Sequence, residues 1–361
     1  MKSNKFLRLI LAVSIVIFCN GVSSVLIAQG VKTIIIDPGH GGKISPGAHY
    51  NGMYEKNIVL PIALRVGELI EKNMPDIKVI YTRKSDVALD VTIAKDLARR
   101  NQLANSSHGD LFVSVHANAA ANKSAAGVET IIMGESSVEQ QRNEAALYAS
   151  NREELIDMSD EKTAAIVRAY IQNLQFTYGE YSEALAKLIQ KNYGKYGRKL
   201  RPLRRQLLMV LYGANMPAVL TEIGFMTNSE EFKYMTSSKG KEEIAQSIYG
   251  GIRDYVEMVN GTLDANRTEL TEPSEPTEEP EQAEQAIESG YTVQILSSRK
   301  VIEPNDSQFK IYRGKVWYVK KQGLYKYKYC VGRYKTHGEA NIKLKEVKRY
   351  FSDAFVIKAD F

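Results

Sequence analysis

Residues 33–42 read TIIIDPGHGG: an apolar run fit for a buried strand, stopped abruptly by an acid, a proline and an imidazole set among three glycines. Short apolar runs bounded by turn residues mark strands covered on both faces. Gly39, Gly41 and Gly42 let the backbone turn sharply at the strand end and come close to a metal or a substrate. They do not form a phosphate cradle, because the spacing departs from G-x-G-x-x-G and no Walker lysine follows.

Outward from this stretch, residues 31–260 alternate strand and helix patterns. NIVLPIALRVGELIEKN repeats its apolar residues at helical spacing, IKVIYTR reads as a second strand, and VTIAKDLARRNQLAN as a second helix. DLFVSVHANA is a third buried strand, SEALAKLIQKNYG a helix, MPAVLTEIGF a fourth strand, and SKGKEEIAQSIYGGIRDYVEMVN the closing helix. This alternation predicts an α/β fold, a mostly parallel twisted sheet flanked by helices, whose chemistry collects at the C-terminal strand ends. The interval between the third and fourth strands is longer than a crossover needs. Its residues 137–180 are expected to form a helical insertion, a wall or lid over the site, with Glu153, Glu154, Asp157, Asp160 and Glu161 within reach of an open metal position.

The 361 residues suffice for two domains. Residues 1–29 run basic, apolar, then small, the order of a cleaved secretory signal, and the apolar part is too short to span a membrane comfortably. Cleavage would leave Cys330 as the single cysteine, which excludes an internal disulfide and a thiolate metal site, and Cys330 is expected to point into a small core. Residues 262–288 carry nine acids, one arginine and three prolines. Such a stretch has little to bury and repels itself, so it reads as an extended linker. Residues 291–361 hold 16 Lys+Arg against six acids, in the order strand, irregular or short helix, two strands, helix, strand.

Four strand and helix ends converge in this reading. His40 follows the first strand, His116 lies on the third, Glu222 on the fourth, and Glu55 opens the first helix. Two imidazoles and a carboxylate suit zinc, with a fourth position open to a water that the metal activates. A further carboxylate must then move the proton, and Glu222, at the end of an apolar strand, is the better placed for it. Asp37 is expected to orient His40 or to fix the loop, as supporting carboxylates do. Arg83 is expected to pair with Asp86 or Asp90 rather than to touch substrate; His49 and His108 read as surface residues.

The blocks IIIDPGHGG, NGMYEKN, YTRKSD, RRNQLAN, FVSVHANA and PAVLTEIGFMTN resemble, in this order, the zinc-dependent N-acetylmuramoyl-L-alanine amidases. The resemblance covers about residues 31–258. It implies one Zn2+ held by His40, Glu55 and His116, Glu222 as catalytic acid/base, and Arg83 and Asn118 within matching blocks. The implied reaction cuts the amide between the lactyl group of muramic acid and L-alanine in peptidoglycan, for cell-wall remodelling and daughter-cell separation. Some members are regulated by a helix that must move, which implies a regulatory activator protein as a partner.

About residues 290–361, YTVQILSS and YKYKYCVGRYKTHGEANIKLKEVKRYFSDAFVIKA resemble the SPOR repeat, a small βαββαβ ferredoxin-like domain that binds glycan strands stripped of stem peptides. The basic tail, with Tyr312, Trp317, Tyr318, Tyr325, Tyr327, Tyr329 and Tyr334, also has the make-up of a single-strand nucleic-acid platform, but the export signal opposes that reading. The expected setting is the periplasm, enriched at the division septum, with no stable membrane span once the signal is removed. Two other readings are a peptidoglycan-binding protein without catalysis and a zinc peptidase that cuts within the stem.

Overall fold

The computed structural model describes residues 30–134, 156, 158, 160–271, 289–298, 300–320, 325–351 and 354–360. The expected signal, residues 137–155, 157 and 159 of the insertion and residues 272–288 of the linker lie outside them.

The strand read first is β1 (Thr33–Pro38). After a two-strand hairpin, β2 (His49–Tyr50) and β3 (Met53–Tyr54), come α1 (Glu55–Asn73), β4 (Lys78–Tyr81), α2 (Ile93–Ser106) and β5 (Leu111–Asn118). Next are β6 (Glu129–Met133), α3 (Glu161–Leu174), a π-turn at Gln175–Gly179, and α4 (Glu180–Lys195). The segment closes with β7 (Arg204–Gln206), α5 (Met209–Tyr212), β8 (Ala218–Phe225), α6 (Ser229–Thr236) and α7 (Ser238–Thr271).

Six strands form one sheet in the order β4-β1-β5-β8-β6-β7. The first four are parallel, as expected; β6 runs antiparallel to β8, and β7 parallel to β6. The sheet is therefore mixed, and its two far strands were not anticipated. Their reversal matters for the site, because the rim formed by the C-terminal ends of β1, β5 and β8 also carries the N-terminal ends of β6 and β7.

Alternation along β1 divides the interior in two. Ile34 and Ile36 enter the core under α1, α4 and α7, while Ile35 enters the core shared with α2, α3 and α5. All three are fully buried, each worth about 1.5–3 kcal/mol in apolar transfer. With both faces covered, the β1 backbone has no freedom to slip, because a one-residue shift would exchange the two faces.

Within the insertion, α3 packs Val167 and Ile171 on the second core. Asp160 caps it by accepting from Thr163 N at 2.8 Å, and Glu161 is its first residue. Glu153, Glu154 and Asp157 lie outside the described residues. The closing helix continues to Thr271 rather than stopping at Asn260, so the first part of the acidic segment is helical. Among the described residues no helix is long and apolar enough to cross a membrane.

The C-terminal segment forms a four-stranded antiparallel sheet from β9 (Ser289–Ser298), β10 (Val316–Lys320), β11 (Tyr327–Tyr334) and β12 (Phe355–Asp360), ordered β10-β11-β9-β12. A short 3-10 segment, Ser307–Tyr312, kinked at Lys310, stands between β9 and β10, and α8 (His337–Val347) between β11 and β12. Thr336 and Glu339 close α8 with a reciprocal capping box. Val293, Phe309, Tyr329, Val331, Leu344 and Val356 form the core. Cys330 is fully buried, and burial pushes its thiol up to about 12. Lys328, its neighbour along β11, forms an ion pair with Glu180 at the start of α4.

Helices α4 and α7 approach closely at Gly251, where an added Cβ would stand 2.5 Å from the Ile189 Cα. Gly251→Ala is expected to cost about 1–3 kcal/mol by forcing the helices apart. The urea midpoint should fall at constant m-value; an unchanged midpoint would show that the two helices part freely.

Candidate metal centre and active site

The loop after β1 is set by hydrogen bonds to its carbonyls. Arg100, on the buried face of α2, donates from Nη1 to Pro38 O at 2.9 Å and from Nη2 to His40 O at 2.6 Å. Arg83 donates from Nε to Pro38 O at 3.0 Å and from Nη2 to Gly39 O at 2.7 Å. Three successive carbonyls are thus held by two guanidiniums, both almost fully buried. The clamp fixes His40 at φ +60°, a left-handed conformation uncommon for a residue with a side chain.

Buried cations need buried anions. Asp37 Oδ1 accepts from Arg100 Nη1 at 2.7 Å and Asp96 Oδ2 from Arg100 Nε at 2.7 Å. Asp37 also accepts from Thr82 Oγ1 and Ser114 Oγ. Burial alone would raise its carboxyl, but Arg100 and the two hydroxyls outweigh burial and hold it below the usual range. Burial, reinforced by repulsion from Arg100, lowers Arg83 to about 10. Asp37 therefore fixes the loop and does not touch His40, whose Nδ1 lies 3.0 Å from Ser45 Oγ. Nor does Arg83 pair with Asp86 or Asp90, because its donors go to carbonyls. Asp86 instead accepts from Gly42 N and Lys56 Nζ, and Asp90 faces Arg99.

The β2–β3 hairpin delivers Glu55 to the same place as the first residue of α1. Its carboxylate is fully buried. Oε1 accepts from Ala117 N at 2.9 Å and faces His116 Nδ1 at 3.0 Å; Oε2 accepts from Ala48 N at 3.2 Å and faces His40 Nε2 at 3.1 Å. Burial by itself would raise the Glu55 carboxyl, yet the His40 and His116 imidazoles reverse the shift and hold it well below the usual range. The imidazoles stand 4.8 Å apart at 74°.

One donor atom from each of His40, Glu55 and His116 lies within 4.8 Å of the others. The donor set, its burial and its ionised carboxylate fit a single Zn2+ ion. The close approach leaves no room for side chains at the adjoining glycines. A Cβ at Gly39 would lie 2.2 Å from the His116 ring, and one at Gly47 2.7 Å from both Glu55 and His40.

Glu222 lies on the next strand of the rim, with its Cα paired to His116 on one side and to Glu129 on the other, and it is 6% exposed. Of the other expected residues, Asn118 turns to Glu129, with Nδ2 3.3 Å from Oε2, while its Oδ1 accepts from Ala119 N. His49 is exposed and packs on Tyr54 with ring centroids 4.5 Å apart. His108 is exposed just beyond α2.

Sequence reasoning missed Arg100, Ser45 and the Glu129 cluster. Arg100 had a legible signal: it falls between Leu97 and Ala104 on the apolar stripe of α2, where a charged residue must have buried partners.

A buried two-histidine, one-carboxylate cluster at a strand-end rim, with a second carboxylate one strand away, is the layout of a single-metal hydrolase. Residues 34–254 match the family described as N-acetylmuramoyl-L-alanine amidase, and the chain belongs to that family. It is 29% identical over 230 residues to the N-acetylmuramoyl-L-alanine amidase AmiC of Escherichia coli, a match covering 62% of this chain and 52% of that protein. It therefore spans about half the length of that relative. It is also 28% identical over 232 residues to the germination-specific N-acetylmuramoyl-L-alanine amidase of Bacillus subtilis, covering 62% of this chain and 79% of that one. A crystal structure of an N-acetylmuramoyl-L-alanine amidase from Clostridium difficile aligns over 63% of this chain and 98% of its own, at 27% identity and a TM-score of 0.47.

Asp37→Asn leaves Arg100 with one carboxylate fewer and is expected to cost about 3–5 kcal/mol. The Asp37 carboxyl lies below its ordinary value when folded, so its contribution is present above about pH 3.9 and is lost as pH falls through the lower folded value. Denaturation midpoints of the variant should therefore vary less with pH on the acid side than those of the unsubstituted protein. Parallel acid limbs would remove Asp37 from that role.

Proposed function

We propose that this chain is a zinc-dependent peptidoglycan amidase that hydrolyses the bond between the lactyl group of N-acetylmuramic acid and L-alanine of the stem peptide. The observation that carries the reading is the buried His40–Glu55–His116 cluster one strand from Glu222, within a chain of the amidase family. A zinc ion held by these three residues supplies Lewis acidity and an activated water. Glu222 takes up a proton from the attacking water on its carboxylate and returns it to the L-alanine nitrogen as the C–N bond breaks. Arg83 and Arg100 keep His40 in place through the reaction by holding the carbonyls beneath it.

The C-terminal segment is read as a ferredoxin-like, SPOR-type domain that binds glycan strands lacking stem peptides. The strand order β10-β11-β9-β12 and the crossover through α8 support this, with the first crossover helix reduced to a 3-10 turn. Of the tail aromatics, Tyr312 and Tyr329 belong to the core, whereas Tyr318 and Tyr350 are exposed and Arg333 lies 4.9 Å over the Trp317 ring. Exposed rings suit sugar faces, and the enzyme is thereby tethered where its own product accumulates. The setting is the cell envelope: the periplasm at sites of division, with an activator protein as a further partner.

Digestion of purified peptidoglycan by the zinc-loaded protein is expected to release intact stem peptides beginning with L-alanine, identified by mass spectrometry. Shorter peptides would establish a peptidase instead. Glu222→Gln should retain zinc while kcat falls by about 10^2–10^4; comparable turnover would overturn its role. Deleting residues 290–361 should abolish co-sedimentation with peptide-free glycan while leaving cleavage of soluble muropeptides within a few-fold. Retained co-sedimentation would refute the tail's proposed role.

A further inference from the structure

We propose that Arg201, seated on the buried Glu129 carboxylate, forms a subsite for a carboxylate on the leaving peptide. The proposal rests on the amidase reading and adds the contact that selects among stem peptides.

Strand order fixes the order of groups along the rim: metal ligands at β1 and β5, Glu222 on β8, then Glu129 on β6 and Arg204 on β7. Glu129 and Glu222 are directly paired on antiparallel strands, so their side chains rise from the same face of the sheet. A substrate amide that spans the metal ligands and Glu222 places its nitrogen at Glu222. The chain beyond that nitrogen, which is the peptide, then runs toward β6 and β7.

At that end stands a preformed cation. The Glu129 side chain is 3% exposed and is gripped by Arg201 Nε at Oε1 and by Arg204 Nη1 at Oε2, the latter at 3.1 Å. The Arg201 guanidinium lies 5.0 Å over the ring of Phe225, three residues beyond Glu222 on β8. Its Nη1 makes one long contact, 3.4 Å to Ala126 O. Arg201 is therefore held on one edge by a carboxylate and on one face by an aromatic ring, yet its side chain remains 35% exposed. A guanidinium so restrained loses little rotamer freedom when it binds, and its planar fork matches a carboxylate. A structural counter-ion for Glu129 is already supplied by Arg204; the second, exposed arginine is placed to meet an anion from solvent.

Chemistry then names the ligand class. A stem peptide whose second residue is a γ-linked D-glutamate carries a free α-carboxylate one residue beyond the scissile bond, and amidation to isoglutamine removes that charge. The test compares N-acetylmuramoyl-L-alanyl-D-glutamate capped as its γ-methylamide, which mimics the γ-linkage, with the corresponding α-amide on the zinc-loaded full chain. The unsubstituted protein should favour the free carboxylate by about 10- to 100-fold in kcat/KM, the scale of a charge-assisted hydrogen bond. Arg201→Gln should erase the preference by raising KM for the carboxylate substrate alone, with zinc content and the amidated substrate unaffected, and Arg201→Lys should restore part of it. An equal loss on both substrates, or no loss, overturns the proposal.

A second readout needs neither turnover nor a variant. Calorimetric binding of L-alanyl-D-glutamate γ-methylamide to the unsubstituted protein should exceed that of the same dipeptide amidated at the α-carboxyl by a similar factor, and equal affinities sink the subsite. If neither muropeptide is cleaved, the amidase reading fails by itself, while the dipeptide comparison still decides the role of Arg201.

Discussion

Two guanidiniums buried beneath the end of β1 bear on three consecutive carbonyls, and the placement of His40 at the rim follows from that. A strand cannot present an imidazole back toward its own sheet without leaving the extended conformation, and His40 does so at φ +60°. Locally, Ser45 meets the His40 ring and the Gly41 N–H. Arg83 and Arg100 stabilise it from below, and Asp37 and Asp96 neutralise them within the same buried layer. Buried ionic clusters often contribute little net stability, because desolvating each ion offsets most of the attraction. Here the cluster's use is positional, since it converts a flexible glycine-rich turn into a fixed seat for one ligand.

The remaining ligands reach that seat by independent routes. His116 arrives on β5, whose register against β1 is locked by apolar residues on both faces. Glu55 arrives as the first residue of a helix, where its backbone N–H bonds to Ala48 O at 2.8 Å and its carboxylate accepts from Ala48 N and Ala117 N. These amide bonds hold an ionised carboxylate away from water before any cation is present, which limits the reorganisation on binding.

Much of this was legible in the sequence for a simple physical reason. Strands covered on both faces are written as uninterrupted apolar runs, so Thr33–Pro38, Leu111–Asn118 and Ala218–Phe225 announce themselves, and the polar residues at their ends stand out. The failures have equally specific causes. Strand β6 is short, begins with an acid and lies next to the insertion, while β7 consists of three polar residues at the sheet edge, so neither carries a pattern that outweighs its surroundings. Arg99 and Arg100 are adjacent and identical in type, and only helical phase separates the exposed one from the one in the core. Arg83 was misassigned because carbonyl acceptors leave no mark in sequence: a cation that bonds to main chain looks like one awaiting an acid.

Strand β6 enters the sheet from the catalytic side, and the turn before β7 lies at that side too. On the stretches that lead into them, residues 121–124, 196 and 197 are exposed and lie outside the strand registers that align the ligands. On the proposed amidase reading, change in the surface that meets substrate is in this way separated from the residues that hold the site together. Substitution at those exposed positions leaves the ionic seat beneath His40 untouched.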